Sequence, residues 1–377
     1  MKLNYLMPVR ILMGENCLFA ERQLLAQLGK KALIVTGSNS ARICGAYNDA
    51  VKALEANGQL HVLYDKVMAN PTDICVYEAG IKAKTEGCDF ILGCGGGSPM
   101  DAAKAAAVLA VNDISKEELF GAAFDRALPL ALIPTTAGTG SETTPYSILT
   151  DTTGSADKTP MKRSVNSPLL FPRFAFLDAG YTKRLNRNTT INTAIDALTH
   201  AVEGMLCLRA NYLSDMLAKD AITMIMDCME DLLAFPAENP TAFPVKKREK
   251  LLLASSIAGM VIAQTGTALP HSMGYLPTIN WGTDHGRANG LFMKSFLSWC
   301  REKEQGSTDR RIPALAAALG MEPERFFDML ELLLEPREKA AETELQAWSK
   351  LPMKNAANTY IKPEQEDIAR IFRESLG

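Results

Sequence analysis

The chain has 377 residues, 47% of them hydrophobic and 22% charged, and carries a formal net charge of −3. That length exceeds what one ordinary core serves and implies two domains with ample apolar interior. A slightly acidic balance without clustered basic residues argues against a nucleic-acid partner, and no apolar run reaches the roughly eighteen residues that span a bilayer. The first residues, Met1 to Pro8, show no long apolar segment and no small-residue cleavage site, so no signal peptide is expected. The eight cysteines form no CxxC pair and read as buried free thiols of a cytoplasmic protein.

Taken in order, the first half alternates β-rich runs with helical patterns. Lys31 to Gly37 reads as a strand, Arg42 to Ala56 as a helix, His61 to Asp65 as a strand and Thr72 to Glu86 as a helix. Asp89 to Gly93 is a third strand, Pro99 to Val111 an alanine-rich helix, and Leu128 to Pro134 a fourth strand. Phe174 to Asp178 closes the series. Strand and helix at these intervals are the signature of parallel βαβ units with helices on both faces of a sheet. After about Thr182 strand signals cease. Thr190 to Leu233, Lys246 to Gln264 and Ile312 to Leu334 carry apolar residues at helical spacing, with Met224, Met226 and Met229 as core filling. The expected organisation is an α/β dinucleotide-binding domain over 1–183 and an all-helical domain over 184–377.

Three loops at strand ends carry the nucleotide argument. The strand at Asp89–Gly93 runs into Cys94-Gly95-Gly96-Gly97-Ser98-Pro99-Met100-Asp101, which opens a helix. Glycines there let the backbone approach a phosphate, and the helix N-terminus offers unpaired N–H groups to an anion. The GxGxxG fingerprint is not met, because Ser98 occupies the third glycine position; a tight turn is the competing reading. Pro134 to Glu142, with Thr135, Thr136 and Thr139, places small hydroxyls among glycines after the fourth strand. At the end of the first strand, Gly37 stands where NAD sites commonly place an acid, followed by Ser38, Ser40 and Arg42. No carboxylate repels a 2′-phosphate there and Arg42 is available to pair with one, which favours NADP slightly over NAD.

Three of the four histidines lie between Asp196 and His285: His200, His271 and His285 itself. Neutral imidazole and carboxylate suit a divalent first-row metal. Asp196 and His200 are four residues apart, so on a helix they share one face. Any one histidine alone is more simply an ordinary hydrogen-bonded side chain.

Together the motifs resemble the iron-dependent (group III) alcohol dehydrogenase family over nearly the whole chain. The resemblance rests on Asn70-Pro71-Thr72, Gly95 to Asp101, Pro134 to Glu142, Leu169 to Asp178, Asp196 to Gly204, Ala258 to Met260, His271 and Asp284 to Gly286, in that order. It implies a Rossmann-like N-terminal domain and an all-α C-terminal domain. It further implies Fe(II), or in some members zinc, on Asp196, His200, His271 and His285. By the same resemblance the glycine loop with Asp101 holds the pyrophosphate, and Thr135, Thr136, Thr139, Asn70 and Lys162 line the cofactor. Lys162 follows a loop from Asp151 to Met161. Homodimers are common in the family. One departure stands out: where members often carry a second histidine four residues after the ligand at His271, this chain has Tyr275. A phenol with an ordinary pKa of about 10 is a poor proton shuttle near neutrality.

The reading is therefore reversible interconversion of a small alcohol with its aldehyde or ketone, by direct hydride exchange with NADP or NAD. Tyr146, Tyr275 and part of Leu276 to Trp281 are expected around the substrate. Polyol oxidation is the neighbouring alternative. A lyase of the dehydroquinate synthase type calls for several basic residues about the metal, where Arg287 is the one candidate. A non-catalytic cofactor-binding regulator is the third, and an intact ligand set speaks against it.

Overall fold

The structure is a computed structural model that describes residues 3–121, 123–152, 161–305 and 307–377. It divides into two compact units: Met7–Leu185 with Pro244–Leu252, and Asn186–Phe243 with Leu253–Gly377 and the residues up to Leu6. Each is considered by itself.

Among the described residues, the first unit is built on eight strands. They are β1 (Arg10–Met13), β2 (Lys31–Gly37), β3 (Leu60–Val67), β4 (Phe90–Gly95), β5 (Leu130–Pro134), β6 (Tyr146–Asp151), β7 (Met161–Asn166) and β8 (Phe174–Leu177). Six form a parallel sheet in the order β1-β8-β5-β4-β2-β3. Its helices are α1 (Cys17–Ala20), α2 (Gln23–Ala26), α3 (Ser40–Ile43), α4 (Ala46–Ala56), α5 (Asp73–Thr85) and α6 (Gly97–Leu109). Strand side chains alternate between faces. Ala32, Ile34, Phe90, Leu92, Ala131 and Ile133 pack with α1, α2 and α4, whereas Leu33, Val35, Ile91, Leu130 and Leu132 pack with α5 and α6. Covered on both faces, β4 has all six residues buried, which is why it reads as a continuous apolar run rather than an alternating one.

The expected βαβ series is present, with three differences. β1 adds an edge strand beside β8 that the sequence pattern did not reveal. β6 and β7 pair antiparallel in a separate two-stranded sheet, also unforeseen, because their half-exposed alternation carries charges such as Lys162 and Arg163. The remainder of the loop between them lies outside the described residues. The helix read over Arg42 to Ala56 is two helices, broken at Gly45, whose φ of 92° leaves helical geometry.

The second unit contains α7 (Arg187–Met205), α8 (Tyr212–Met226), α9 (Met229–Ala234), most of α10 (Val245–Thr265), α11 (Leu269–Asn280), α12 (His285–Lys303), α13 (Ile312–Leu319), α14 (Pro323–Leu333), α15 (Glu342–Ser349) and α16 (Gln365–Leu376). The helical run Thr190 to Leu233 is thus three helices. Asn211 caps α8 through a reciprocal capping box with Ser214, which requires a chain break before it. Ile312 to Leu334 divides at Gly320, which stands at φ 67° as the C-cap of α13. Of the methionine cluster, Met229 is buried, while Met224 and Met226 are half-buried. Among the described residues no single helix is long and apolar enough to cross a membrane. All eight cysteines are free, and only Cys44 is not buried.

Candidate metal centre and dinucleotide loops

The helical unit gathers the histidines. α7 opens with Asn186 accepting from the Thr189 N–H and is buried almost throughout from Thr190 to Met205. Asp196, His200 and Glu203 fall at i, i+4 and i+7, on one face of that helix. α11 brings His271 and α12 begins with His285; both helices pack together, and α12 packs on α7. One atom from each of Asp196, His200 and His271 lies within 4.8 Å of the others. The His271 ring stacks on His200 at 4.8 Å between centroids and meets His285 edge-on at 5.3 Å.

Buried imidazole nitrogens normally have partners. His200 Nδ1 and His271 Nε2 have none, although both residues are buried. Each unpaired group costs about 1–3 kcal/mol; with His200 Nε2 only 3.9 Å from Asp196 Oδ1 and His271 Nε2 unpartnered, the cluster fits a cation. Burial raises the Asp196 carboxyl, but the imidazoles of His200, His285 and His271, helped by Asn289, outweigh it and hold the group below its usual range. His271 is pushed down to about 3, first by burial and then by His200, so it is neutral as a ligand must be.

A second layer of residues was not singled out from the sequence. Glu203, fully buried, lies 2.6 Å through Oε1 from His271 Nδ1 and accepts the Ala268 N–H through Oε2 at 2.6 Å. Burial pushes this carboxyl up to about 8, while the Ala268 N–H opposes the shift. With Nδ1–H donating to Glu203, the Nε2 lone pair is left open, the tautomer that metal binding needs. Ala268 is the N-cap of α11 and offers no side-chain cap; Glu203 and Thr359, which accepts from Leu269 N–H at 3.2 Å, take that task. Asn289 Nδ2 stands 3.3 Å from Asp196 Oδ1 and 3.2 Å from His285 Nε2. Asn192 donates to Asp284, the N-cap of α12, at 2.7 Å. The i, i+7 placement of Glu203 and the i, i+4 placement of Asn289 after His285 were signals available for both.

Tyr275 lies parallel to His285, with centroids 5.3 Å apart and planes 13° from coplanar. Trp281 is engaged elsewhere: its indole N–H donates to Glu344 at 2.9 Å and its ring packs on Trp348 of α15. Tyr146 opens β6 of the α/β unit.

In that unit the expected dinucleotide residues sit at the carboxyl ends of parallel strands. β2 and β4 are neighbours whose following connections run to opposite sides, to β3 and to β5, which makes the gap between them the switch point of the sheet. Gly37 ends β2, with Ser38 and Ser40 after it, and Gly95 ends β4, with Gly96 to Ser98 after it. Gly95 has φ 152°, and a Cβ there would stand 2.6 Å from Pro99 Cγ, so only glycine fits. Gly96 caps α6 without a side-chain bond. Asn70, at φ 57°, donates its N–H to Ser98 Oγ at 3.2 Å and accepts from Lys162 Nζ at 2.7 Å. Burial lowers Lys162 to about 8, with Asp101 pulling the other way. Thr135 is buried, its N–H donating to Gly95 O at 2.9 Å; Thr136 and Thr139 are half-buried. Both Asp101 oxygens are occupied, by the Ser141 hydroxyl at 2.6 Å and the Ile148 N–H at 2.9 Å. At the end of β2, Arg42 lies over the Tyr47 ring at 4.2 Å and 3.8 Å from the Asp65 carboxylate.

A parallel α/β unit with a glycine loop at its switch point, carried with a helical unit that holds a buried Asp–His cluster, defines a class: metal-binding oxidoreductases built on a dinucleotide fold. Residues 8–179 match the model of iron-containing alcohol dehydrogenase, and residues 190–376 match the C-terminal model of the Fe-containing alcohol dehydrogenase family. The chain belongs to the iron-containing alcohol dehydrogenase family. It is 32% identical over 308 residues to the probable alcohol dehydrogenase EutG of Escherichia coli, covering 80% of this chain and 75% of that one. It is 30% identical over 274 residues to the lactaldehyde reductase of the same species, covering 72% and 68%. An iron-containing alcohol dehydrogenase from Thermotoga maritima superposes with a TM-score of 0.85 at 36% identity, over 99% of each chain.

Proposed function

We propose that this protein is an NAD(P)-linked alcohol dehydrogenase or aldehyde reductase, with NADP slightly favoured and Fe(II), alternatively Zn(II), as its metal. The observation that carries the proposal is the buried cluster of Asp196, His200 and His271, with one ligand atom of each within 4.8 Å of the others and His271 Nε2 unpartnered. Asp196, His200, His271 and His285 would hold the metal. When bound, the metal supplies Lewis acidity toward a substrate oxygen, and the dinucleotide supplies or accepts the hydride. The chain's part is placement. Glu203 fixes the His271 tautomer and Asn289 orients Asp196, while Tyr275 forms a flat wall against His285. On the dinucleotide side, Gly95 to Ser98, Asn70, Lys162, Thr136 and Thr139 would meet the cofactor. Asp101 braces the second loop, accepting from the Ser141 hydroxyl and the Ile148 N–H.

The name of the Escherichia coli lactaldehyde reductase favours a small aldehyde as substrate. Thiols outside any disulfide suit a cytoplasmic location, and the homodimer rests on the family alone. The test is oxidation of NADPH and of NADH by the protein reconstituted with Fe(II) or Zn(II), across a panel of aldehydes. Turnover with Fe(II) is the expected result. Cofactor binding without turnover under every metal would make the protein a regulator rather than an enzyme.

Cofactor choice has its own prediction. Arg42 lies over the Tyr47 face and near the exposed, water-screened Asp65 carboxylate, from which a 2′-phosphate competes well for it. Arg42→Ala is expected to raise the KM for NADPH about tenfold, as loss of one charge-assisted contact does, and to leave that for NADH within about twofold. Equal effects on both would remove Arg42 from the determination of specificity.

A further inference from the structure

Lys104 is the one lysine among the largest fully buried side chains. It stands on α6, in the second turn after the glycine loop, and neither the fold nor the reaction accounts for a buried cation there. Its three N–H are shared among four oxygens within donor distance: Ser141 O at 2.6 Å, Ser141 Oγ at 2.8 Å, Tyr146 O at 2.8 Å and Thr144 Oγ1 at 3.1 Å. It also lies 3.9 Å from Asp101 Oδ1. Every acceptor except Asp101 belongs to the segment that follows the Thr135–Thr139 loop. Burial lowers the ammonium to about 8, with Asp101 and Glu142 opposing, so it remains charged at neutral pH.

These bonds end a ladder between the two loops. Thr135 N–H donates to Gly95 O at 2.9 Å. A Cβ on Gly96 would lie 3.4 Å from Thr136, and one on Gly97 only 2.7 Å from Thr139 Cγ2, so the loops run in van der Waals contact. Ser141 Oγ then bonds Asp101, Ser147 Oγ donates to Asp101 O at 2.7 Å, and Lys104 closes the row. The upper rungs are backbone or van der Waals contacts among small residues, which have little grip of their own. The charged bonds from Lys104 are the strong ones.

We propose that Lys104 is a positioning residue for the dinucleotide, a buried strut that sets the gap between the glycine loop and the threonine loop. The proposal rests on the reading that these two loops hold the cofactor. It places specificity for a geometry, not a contact: Lys104 is fully buried and acts through Ser141, Thr144 and Tyr146.

The test is fluorescence titration with NADPH and NADH, with steady-state kinetics, on the metal-loaded full chain carrying Lys104→Met. The dinucleotide Kd and KM are expected to rise about tenfold or more, well beyond any fall in kcat, because uniform binding is what a distorted cradle loses. Metal content is expected to stay at the wild-type value. If Lys104→Met does not fold, Ser141→Ala removes the hydroxyl that accepts from Lys104 and donates to Asp101 while leaving the other Lys104 bonds, and is expected to shift the dinucleotide KM in the same direction by a smaller factor. A lower Tm with an unchanged dinucleotide KM in a folded Lys104→Met, or in Ser141→Ala, overturns the proposal. Gly97→Val is the control: its side chain would enter the space of Thr139. If it too leaves the KM unchanged, the loops are not the cofactor site; if it abolishes binding while the other variants do nothing, only the role of Lys104 fails.

Discussion

His271→Ala is expected to lose metal and turnover together. The substitution removes one of four candidate ligands and also leaves the Glu203 carboxylate, buried and held up near 8, without its imidazole partner. Metal content measured after gel filtration is expected to fall to background, with no aldehyde-dependent oxidation of NADPH. Dinucleotide affinity is expected to persist, since those loops belong to the other unit. Glu203→Ala supplies the contrast. It leaves all four candidate ligands present but frees the His271 tautomer and uncaps the Ala268 N–H, so metal affinity should drop about 10–100-fold and recover at excess metal. Wild-type NADPH-dependent turnover by His271→Ala would remove the site assignment altogether.

The second large effect belongs to a residue with no side chain. A Cβ on Gly286 would stand 2.0 Å from the Asn192 carbonyl oxygen, 2.6 Å from Asp196 Cβ and 3.0 Å from Asp196 N. These are backbone neighbours in the middle of α7 and have no rotamer by which to yield. Gly286→Ala therefore has to push the first turn of α12 away from α7, and His285, the residue before it, goes along. Overpacking of this kind costs about 1–3 kcal/mol, and the displaced imidazole adds a loss of metal affinity. Thermal unfolding with and without added metal separates the two: the metal-induced rise in Tm, which follows from linkage, should shrink along with the Tm itself. A Gly286→Ala protein that keeps wild-type Tm and metal response would show that the close approach of α12 to α7 is not what places His285.

The inner strands of the parallel sheet were readable because they are buried on both faces and alternate with helices at regular intervals, whereas the partly exposed edge strand β1 was not. β6 and β7 were not, because a partly exposed hairpin carrying Lys162, Arg163 and Ser164 shows neither an apolar run nor a turn signal at its described ends. Helix breaks at Gly45 and Gly320 were missed for a related reason: periodicity continues across a one-residue break, and only the positive φ announces it. Trp281 shows the same limit for side chains. It falls in the stretch Leu276 to Trp281, part of which was expected around the substrate, and its indole is hydrogen-bonded to Glu344, sixty-three residues further along the chain.

The sequence by itself determined the fold class, the family and the order of the chemistry-bearing residues, because these depend on local patterns: strand–helix alternation, the glycine run after a buried strand, and Asp196 four residues before His200. Tertiary structure decided the rest. It showed that His200 and His271 keep open nitrogens, that Glu203 and Asn289 form the layer behind them, that Asp101 faces inward, and that Lys104 ties two loops together. The physical reason is that a hydrogen-bond partner or a close backbone approach is a fact about residues distant in the chain. No spacing within one helix or one loop encodes which of them will meet.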